Sequence, residues 1–330
     1  MPVLDPVLWT KVTLGRTEEV RQLLAEDVDI EESGGRKKTT PLHQAAFNVH
    51  GQITRLLLEH QADVSAEDTG GRTPLQYAAR QGNVTVARLL IEHQADVSAK
   101  NTEGGTSLQY AAFEGHDKVS VLLIEHQADV SVRDLNGRTA LFWAAFGGHE
   151  TVARLLLEHQ ADVSAKANNG QTALFSASLG GHETVARLLL EHQADVSSKT
   201  NDGRNALHDA AWMGHATVSQ LLLEKKADMS ALDNRSSTPL HHAALGGHET
   251  VARLLLDKGA DEQLKESDGL TPGGLATAAA HHQLAALLTA EGVRRAQCVA
   301  FAMGHHERLG EGSPVQELDA GVVRMVLERV

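Results

Sequence analysis

From Glu150 to Glu158 the apolar residues Val152, Leu155 and Leu156 recur at i, i+3 and i+4, while Arg154 and Glu158 fall on the other side. That spacing predicts a short amphipathic helix. A second helix is predicted just before it. Thr139 supplies a capping hydroxyl, and the next position holds proline in the sister segments, at Pro41, Pro74 and Pro239, where a missing N–H costs nothing. The small pair Ala144-Ala145 lets neighbouring helices approach, and Gly147-Gly148 closes the helix with a residue able to reach positive φ. Gly137 suits a tight turn ahead of it. The whole pattern, DLNGRTALFWAAFGGHETVARLLLEHQADVSAK from Asp134 to Lys166, returns every 33 residues, with Leu42, Leu75, Leu108, Leu141, Leu174, Leu207 and Leu240 in register. One such unit cannot bury its apolar face alone, so the units must stack, and a thin, long core follows.

Composition narrows the function classes. Aromatic residues make up 3% of the chain and the formal net charge is -13, which argues against a nucleic-acid partner, since phosphate binding rests on Lys and Arg. A single cysteine, Cys298, excludes an intramolecular disulfide, so a reducing compartment, cytoplasmic or nuclear, is the expectation. Met1 to Thr10 lacks the basic and apolar runs of a signal peptide, and no stretch nears the roughly 20 apolar residues of a membrane span. Neither secretion nor membrane insertion is expected.

The segments Thr40-Pro41-Leu42-His43-Gln44-Ala45 and Thr238-Pro239-Leu240-His241-His242-Ala243, with the 33-residue period, resemble the ankyrin repeat from about Glu18 to Gly292. The resemblance implies an all-α solenoid of stacked helix-turn-helix units with β-turn tips, whose concave side binds other proteins. Nine units are expected, the first atypical and the last degenerate at Gly273 and Gly274. The expected organisation is an N-terminal capping repeat over 1–34, seven repeats over 35–265, a degenerate repeat over 266–292 and a helical tail over 293–330. One departure from the family is systematic. Gln61, Gln94, Gln127, Gln160 and Gln193 stand where glycine usually follows the second helix, and glycine returns only at Gly259. A left-handed backbone there costs each glutamine about 1 kcal/mol relative to glycine. The family's loop asparagine is likewise replaced, by Ser65, Ser98, Ser131, Ser164, Ser197 and Ser230.

Comparison of the copies locates the variable side. Gly147 to Lys166 and Gly180 to Lys199 differ only at Ala165 against Ser198, whereas the turns and first helices around them diverge. In the ankyrin-like arrangement those divergent residues line the concave side. Phe47, Arg80, Phe113, Phe146, Leu179, Trp212 and Leu245 follow the small pair in successive units, about 10 Å apart. Met213 widens this stripe, and the turn-tip residues Arg72, Arg138 and Arg204 offer guanidinium groups to carboxylates of a partner. Two readings are open: binding anchors, in keeping with the aromatic and Arg content of interfaces, or packing between neighbouring first helices. Tyr77, Tyr110, Phe142, Trp143 and Phe175, one turn earlier, are expected in the core.

No catalytic, cofactor-binding or metal site is expected. Most of the 19 histidines form ladders, His116, His149, His182, His215 and His248 in one, His60, His93, His126, His159 and His192 in another. Rungs a repeat apart cannot share one ion at ligand distances of roughly 2 Å. His149-Glu150 and its copies lack the second histidine of a zincin motif, and neither a Walker loop nor a nucleophile elbow occurs.

Past Gly292 the period fails. Two amphipathic segments separated by Gly310, Gly312 and Pro314 are consistent with a hairpin that caps the last repeat. The terminal LDAGVVRMVL instead resembles the opening helix of an F-box, with Leu318, Val322, Val323, Val326 and Leu327 as its apolar contacts. That likeness implies an adaptor that recruits components of a cullin-type ubiquitin ligase. Asp319 and Gly321 depart from the F-box pattern, where proline and glutamate are usual.

Overall fold

The structure is a computed structural model and describes residues 6–26 and 28–289. The F-box-like segment with Leu318, Val322, Val323, Val326 and Leu327, and the rest of the tail, lie outside the described residues. Regular structure among the described residues is helical, with one isolated antiparallel bridge between Gly34 and Thr39. Two compact units are present: one extends to Ala206 and includes Glu224–Lys226, the other takes Leu207–Leu223 and continues from Ala227.

The first unit is a series of helix pairs. In chain order they are α1 (Val7–Thr13) and α2 (Thr17–Leu24), α3 (Pro41–Phe47) and α4 (Gly51–Glu59), α5 (Pro74–Arg80) and α6 (Val84–Glu92), α7 (Ser107–Glu114) and α8 (Asp117–Glu125), α9 (Ala140–Gly147) and α10 (Glu150–Glu158), α11 (Ala173–Gly180) and α12 (Glu183–Glu191). First helices pack on first helices, α3 through α11, and second helices on second helices, α2 through α12. Leu42, Leu75, Leu108, Leu141 and Leu174 are sealed between the layers, as are the small pairs such as Ala144-Ala145. On α10 the buried apolar face comprises Val152, Ala153, Leu156 and Leu157, while Leu155, expected on that face, is only half-buried. The difference reflects the two neighbours of the helix, its own first helix and the adjacent second helices, which together cover more than one stripe.

Capping explains where the first helices start. Thr139 Oγ1 accepts from the Phe142 N–H at 3.3 Å, and at Thr106 the cap is reciprocal, its own N–H donating to Gln109 Oε1 at 3.0 Å. The same glutamine stitches units together: Gln109 Nε2 donates to the carbonyls of Val132 (3.0 Å) and Arg138 (2.9 Å) in the next repeat. His43 does this work at the same position two repeats earlier, with its Nδ1 accepting from the Thr40 N–H at 3.2 Å and its Nε2 donating to the Arg72 carbonyl at 2.7 Å. Turn tips join through a backbone ladder, Thr102 N–H to Gly70 (3.0 Å), Leu135 N–H to Glu103 (2.9 Å) and Asn168 N–H to Asn136 (2.8 Å).

The five glutamines after the second helices are left-handed, with φ of 65° at Gln61, 69° at Gln94, 65° at Gln127, 64° at Gln160 and 66° at Gln193. In the loop that follows, Ser65 makes its own closure: its N–H and its hydroxyl both donate to Asp63 Oδ1, at 2.8 and 2.6 Å. The serine therefore substitutes for asparagine by using the preceding carboxylate as the acceptor.

The second unit continues the same grammar with α13 (Ala206–Trp212), α14 (Ala216–Glu224), α15 (Pro239–Gly246), α16 (Glu249–Asp257) and α17 (Pro272–Ala278), and residues 282–289 are helical. Here His241 caps and stitches as His43 does, accepting from the Thr238 N–H at 3.1 Å and donating to the Leu264 carbonyl at 3.1 Å. No helix among the described residues is long and apolar enough to cross a membrane.

Candidate protein-binding surface

The last residues of the first helices point their side chains out of the stack. Phe47, Phe113 and Phe146 are 42%, 36% and 42% exposed in the first unit, where Arg80 is also exposed and Leu179 half-buried. In the second unit Trp212, Met213 and Leu245 are exposed. These backbones are nevertheless held. His116 Nε2 donates to the Arg80 carbonyl (3.0 Å), His149 to Phe113 (2.9 Å) and His182 to Phe146 (3.0 Å), and in the second unit His248 donates to Trp212 (2.8 Å) and His281 to Leu245 (3.2 Å). The other histidine ladder is local: His60, His93, His126 and His192 each donate from Nδ1 to the carbonyl four residues earlier. Among the described residues no group of three or more His, Cys, Asp or Glu side chains could hold a metal ion.

Around Trp143 the aromatic residues form one cluster. Phe113 stacks on Phe146 with ring centroids 6.2 Å apart, and Trp143 meets both edge-on, at 5.3 and 6.0 Å. Of the rings expected in the core, Tyr77, Phe142 and Phe175 are buried, but Tyr110 and Trp143 are only half-buried. Both line a cavity of about 300 Å³ with Phe113, Arg80 and Arg138. Their repeat position reads Gln44, Tyr77, Tyr110, Trp143, Ser176, Asp209 and His242 along the chain, and that variability is the signal that could have placed them at the surface.

The turn-tip arginines are less open than a free rim. Arg72 is ion-paired to Asp68 at 2.8 Å, and Arg138 donates from Nε to Asp134 Oδ2 at 2.8 Å. Each guanidinium also lies against a ring of its own repeat, Arg72 over Tyr77 at 5.4 Å and Arg138 over Trp143 at 4.2 Å. Arg204 is 3.8 Å from Asp202. The buried carboxylates organise the tips. Asp68 Oδ1 accepts from the Gly70 and Arg72 N–H groups (2.8 and 3.0 Å), while Oδ2 takes the Tyr77 hydroxyl (2.7 Å) and the Arg72 side chain. Burial raises the Asp68 pKa, but these donors outweigh it and lower it to about 2. Burial and the Asp68 carboxylate together push the Tyr77 phenol up.

With helix pairs, β-turn tips and capped first helices in place, comparison with known families is decisive. Models described as ankyrin repeats (3 copies) match residues 8–101, 96–167 and 164–233, and one described as ankyrin repeats (many copies) matches 222–272. The chain belongs to the ankyrin-repeat family. Its fold is thus the all-α ankyrin-repeat solenoid, and ankyrin repeats support a role as a protein-interaction scaffold. A similar protein is the palmitoyltransferase AKR1 of Lachancea kluyveri, 41% identical over 63 residues, which make up 19% of this chain and 8% of that protein. The match spans less than a tenth of that relative.

Proposed function

We propose that this ankyrin-repeat chain is a non-enzymatic scaffold that holds a segment of another protein against its turn tips and exposed first-helix ends, with residues 1–34 and 266–292 serving as end repeats. The aromatic cluster of Phe113, Phe146 and Trp143 carries this reading. Phe113 and Phe146 present apolar area to solvent from backbones held by His149 and His182, Trp143 packs edge-on against both, and preorganised aromatic anchors bind at low entropic cost. Phe47, Arg80 and Leu179 extend the surface in the first unit, and Trp212, Met213 and Leu245 provide anchors in the second. Arg72, Arg138 and Arg204 contribute orientation rather than free charge, because carboxylates of the chain already engage them.

Proximity labelling with the full chain and with Phe113→Ala/Phe146→Ala tests the proposal. Partners should disappear from the double variant while its Tm stays within a few degrees of the original. Retention of the same partners by a folded double variant would refute the assignment.

A further inference from the structure

Three repeats pair a residue of the first helix with one nine positions earlier, behind the turn tip. The Tyr77 hydroxyl donates to Asp68 at 2.7 Å, Asn101 Nδ2 donates to the Tyr110 hydroxyl at 2.7 Å, and in the second unit His242 meets Asp233 at 2.9 Å. At the equivalent of Tyr110 and Trp143 the next repeat carries Ser176, and at the equivalent of Asn101 and Asp134 it carries Ala167. Ring and carboxylate are both missing from that repeat. A cavity of about 400 Å³ opens there, walled by Trp143, Phe146 and Leu179, floored by Ala167 and Ser176, and rimmed by the amide of Gln171.

The hollow carries polar chemistry as well as shape. Ser176 is 3% exposed and lines the cavity, where it contributes a hydroxyl that both donates and accepts. Gln171, which also lines the cavity, accepts at Oε1 from Asn169 Nδ2 at 3.0 Å and retains Nε2 as a donor. The tip has also been rebuilt without the carboxylate: the Gln171 N–H goes to Asn169 Oδ1 at 3.1 Å, where sister tips use Asp68 or Asp134.

We propose that this cavity is a subsite for a tyrosine side chain of the bound protein segment, which supplies from outside the ring that Tyr77 and Tyr110 supply within their own repeats. The ring lies against Trp143, Phe146 and Leu179, and the phenol exchanges hydrogen bonds with Ser176 Oγ and Gln171 Nε2. A phenol fits because it both donates and accepts, and the volume falls within the roughly 300–1,000 Å³ of ligand sites. The inference rests on the interaction-scaffold reading but is tested without the partner.

The probe is p-cresol, followed with the full chain through the indole N–H signal of Trp143, with toluene as the analogue lacking the hydroxyl. Saturable shifts are expected for p-cresol, with toluene about fivefold weaker, the ratio of one net hydrogen bond. Ser176→Ala should erase most of that preference. Ala167→Asn/Ser176→Tyr installs the Asn101–Tyr110 pair and should abolish binding while raising Tm. N-acetyl-tyrosinamide should bind at least as well as p-cresol; its exclusion would assign the hollow to a free phenol and overturn the proposal. Absence of a saturable shift, or equal affinity for p-cresol and toluene, overturns it even if the double variant does not fold. If p-cresol fails to bind while partner capture still depends on Phe113 and Phe146, the subsite is wrong and the scaffold reading stands.

Discussion

The Nε2 atom of His149 lies 2.9 Å from the carbonyl oxygen of Phe113, 36 residues earlier. A carbonyl only accepts, so the ring carries its proton on Nε2. The other edge of the same ring packs on Gly115, whose φ is +78° and where any Cβ would come within 2.3 Å of Nδ1. One histidine thus fixes the end of the preceding first helix, forbids a side chain at its left-handed cap, and holds an exposed aromatic residue in place. His149→Ala should lower unfolding free energy by about 1 kcal/mol, the usual net value of such a bond. It should also weaken capture of any partner that depends on Phe113. A urea midpoint unchanged within error would show that the bond has no weight in the fold.

The left-handed glutamines define a second prediction. Glycine reaches φ near +65° without the steric cost borne by Gln127 and Gln160. Replacing each with glycine should stabilise the protein by about 1 kcal/mol, less a few tenths for the added freedom of the unfolded chain. Denaturant titration of Gln127→Gly and Gln160→Gly checks this, and a fall in midpoint would mean that the glutamine side chains hold the loop in some other way.

Much of the scaffold was legible because its causes are local and repeated. The buried leucine at each helix start, the threonine caps and the closing glycines announce themselves by period and residue type. The surface was harder to read. Asp68 and Arg72 stand four apart, as do Asp134 and Arg138, yet nothing local says that the carboxylates are buried and the guanidiniums drawn onto Tyr77 and Trp143. Trp143 and Tyr110 read as core because rings usually are; their half-exposure follows from the cavity in front of Arg138, a feature of neighbouring repeats together. The contrast of Ala167 and Ser176 with Asn101 and Tyr110 was in the sequence throughout. It acquires meaning only once the nine-residue pairing is known from coordinates.

Burial lowers the pKa of His43 and of His241, outweighing the carbonyls of the next repeat that accept from each ring and act to raise it. Their folded-state pKa values lie below the unfolded value of 6.5, so the unfolded chain binds more protons between the two. The resulting stability is complete above pH 6.5 and is lost as pH falls through that value toward the folded pKa. Gln76 and Gln109 occupy the same position with the same bonds and do not titrate. His43→Gln/His241→Gln should therefore unfold at a urea midpoint that drops less between pH 7.5 and pH 5.5 than that of the unaltered chain. Parallel drops would remove these two histidines as the source of acid sensitivity.

Asp68 is the mirror case in sign. Its side chain is sealed from solvent, two turn N–H groups and the Tyr77 hydroxyl donate to it, and Arg72 pairs with it. Its folded pKa of about 2 lies below the ordinary 3.8, so it contributes stability that is complete above about pH 4 and disappears as pH falls through 2. Asp68→Ala removes the acceptor for all four donors and should cost on the order of 2 kcal/mol at pH 7. The penalty should shrink steadily below pH 4, because protonation weakens the same interactions in the unaltered chain. The variant also copies the Ala167 arrangement while Tyr77 remains in place, so its cost comes from unmet donors and not from an empty ring position. A Tyr77→Phe variant separates the phenol's share, which should be about 1 kcal/mol. If Asp68→Ala is as stable as the unaltered chain at pH 7, the turn tips are held by the backbone ladder between repeats and the carboxylate is incidental to them.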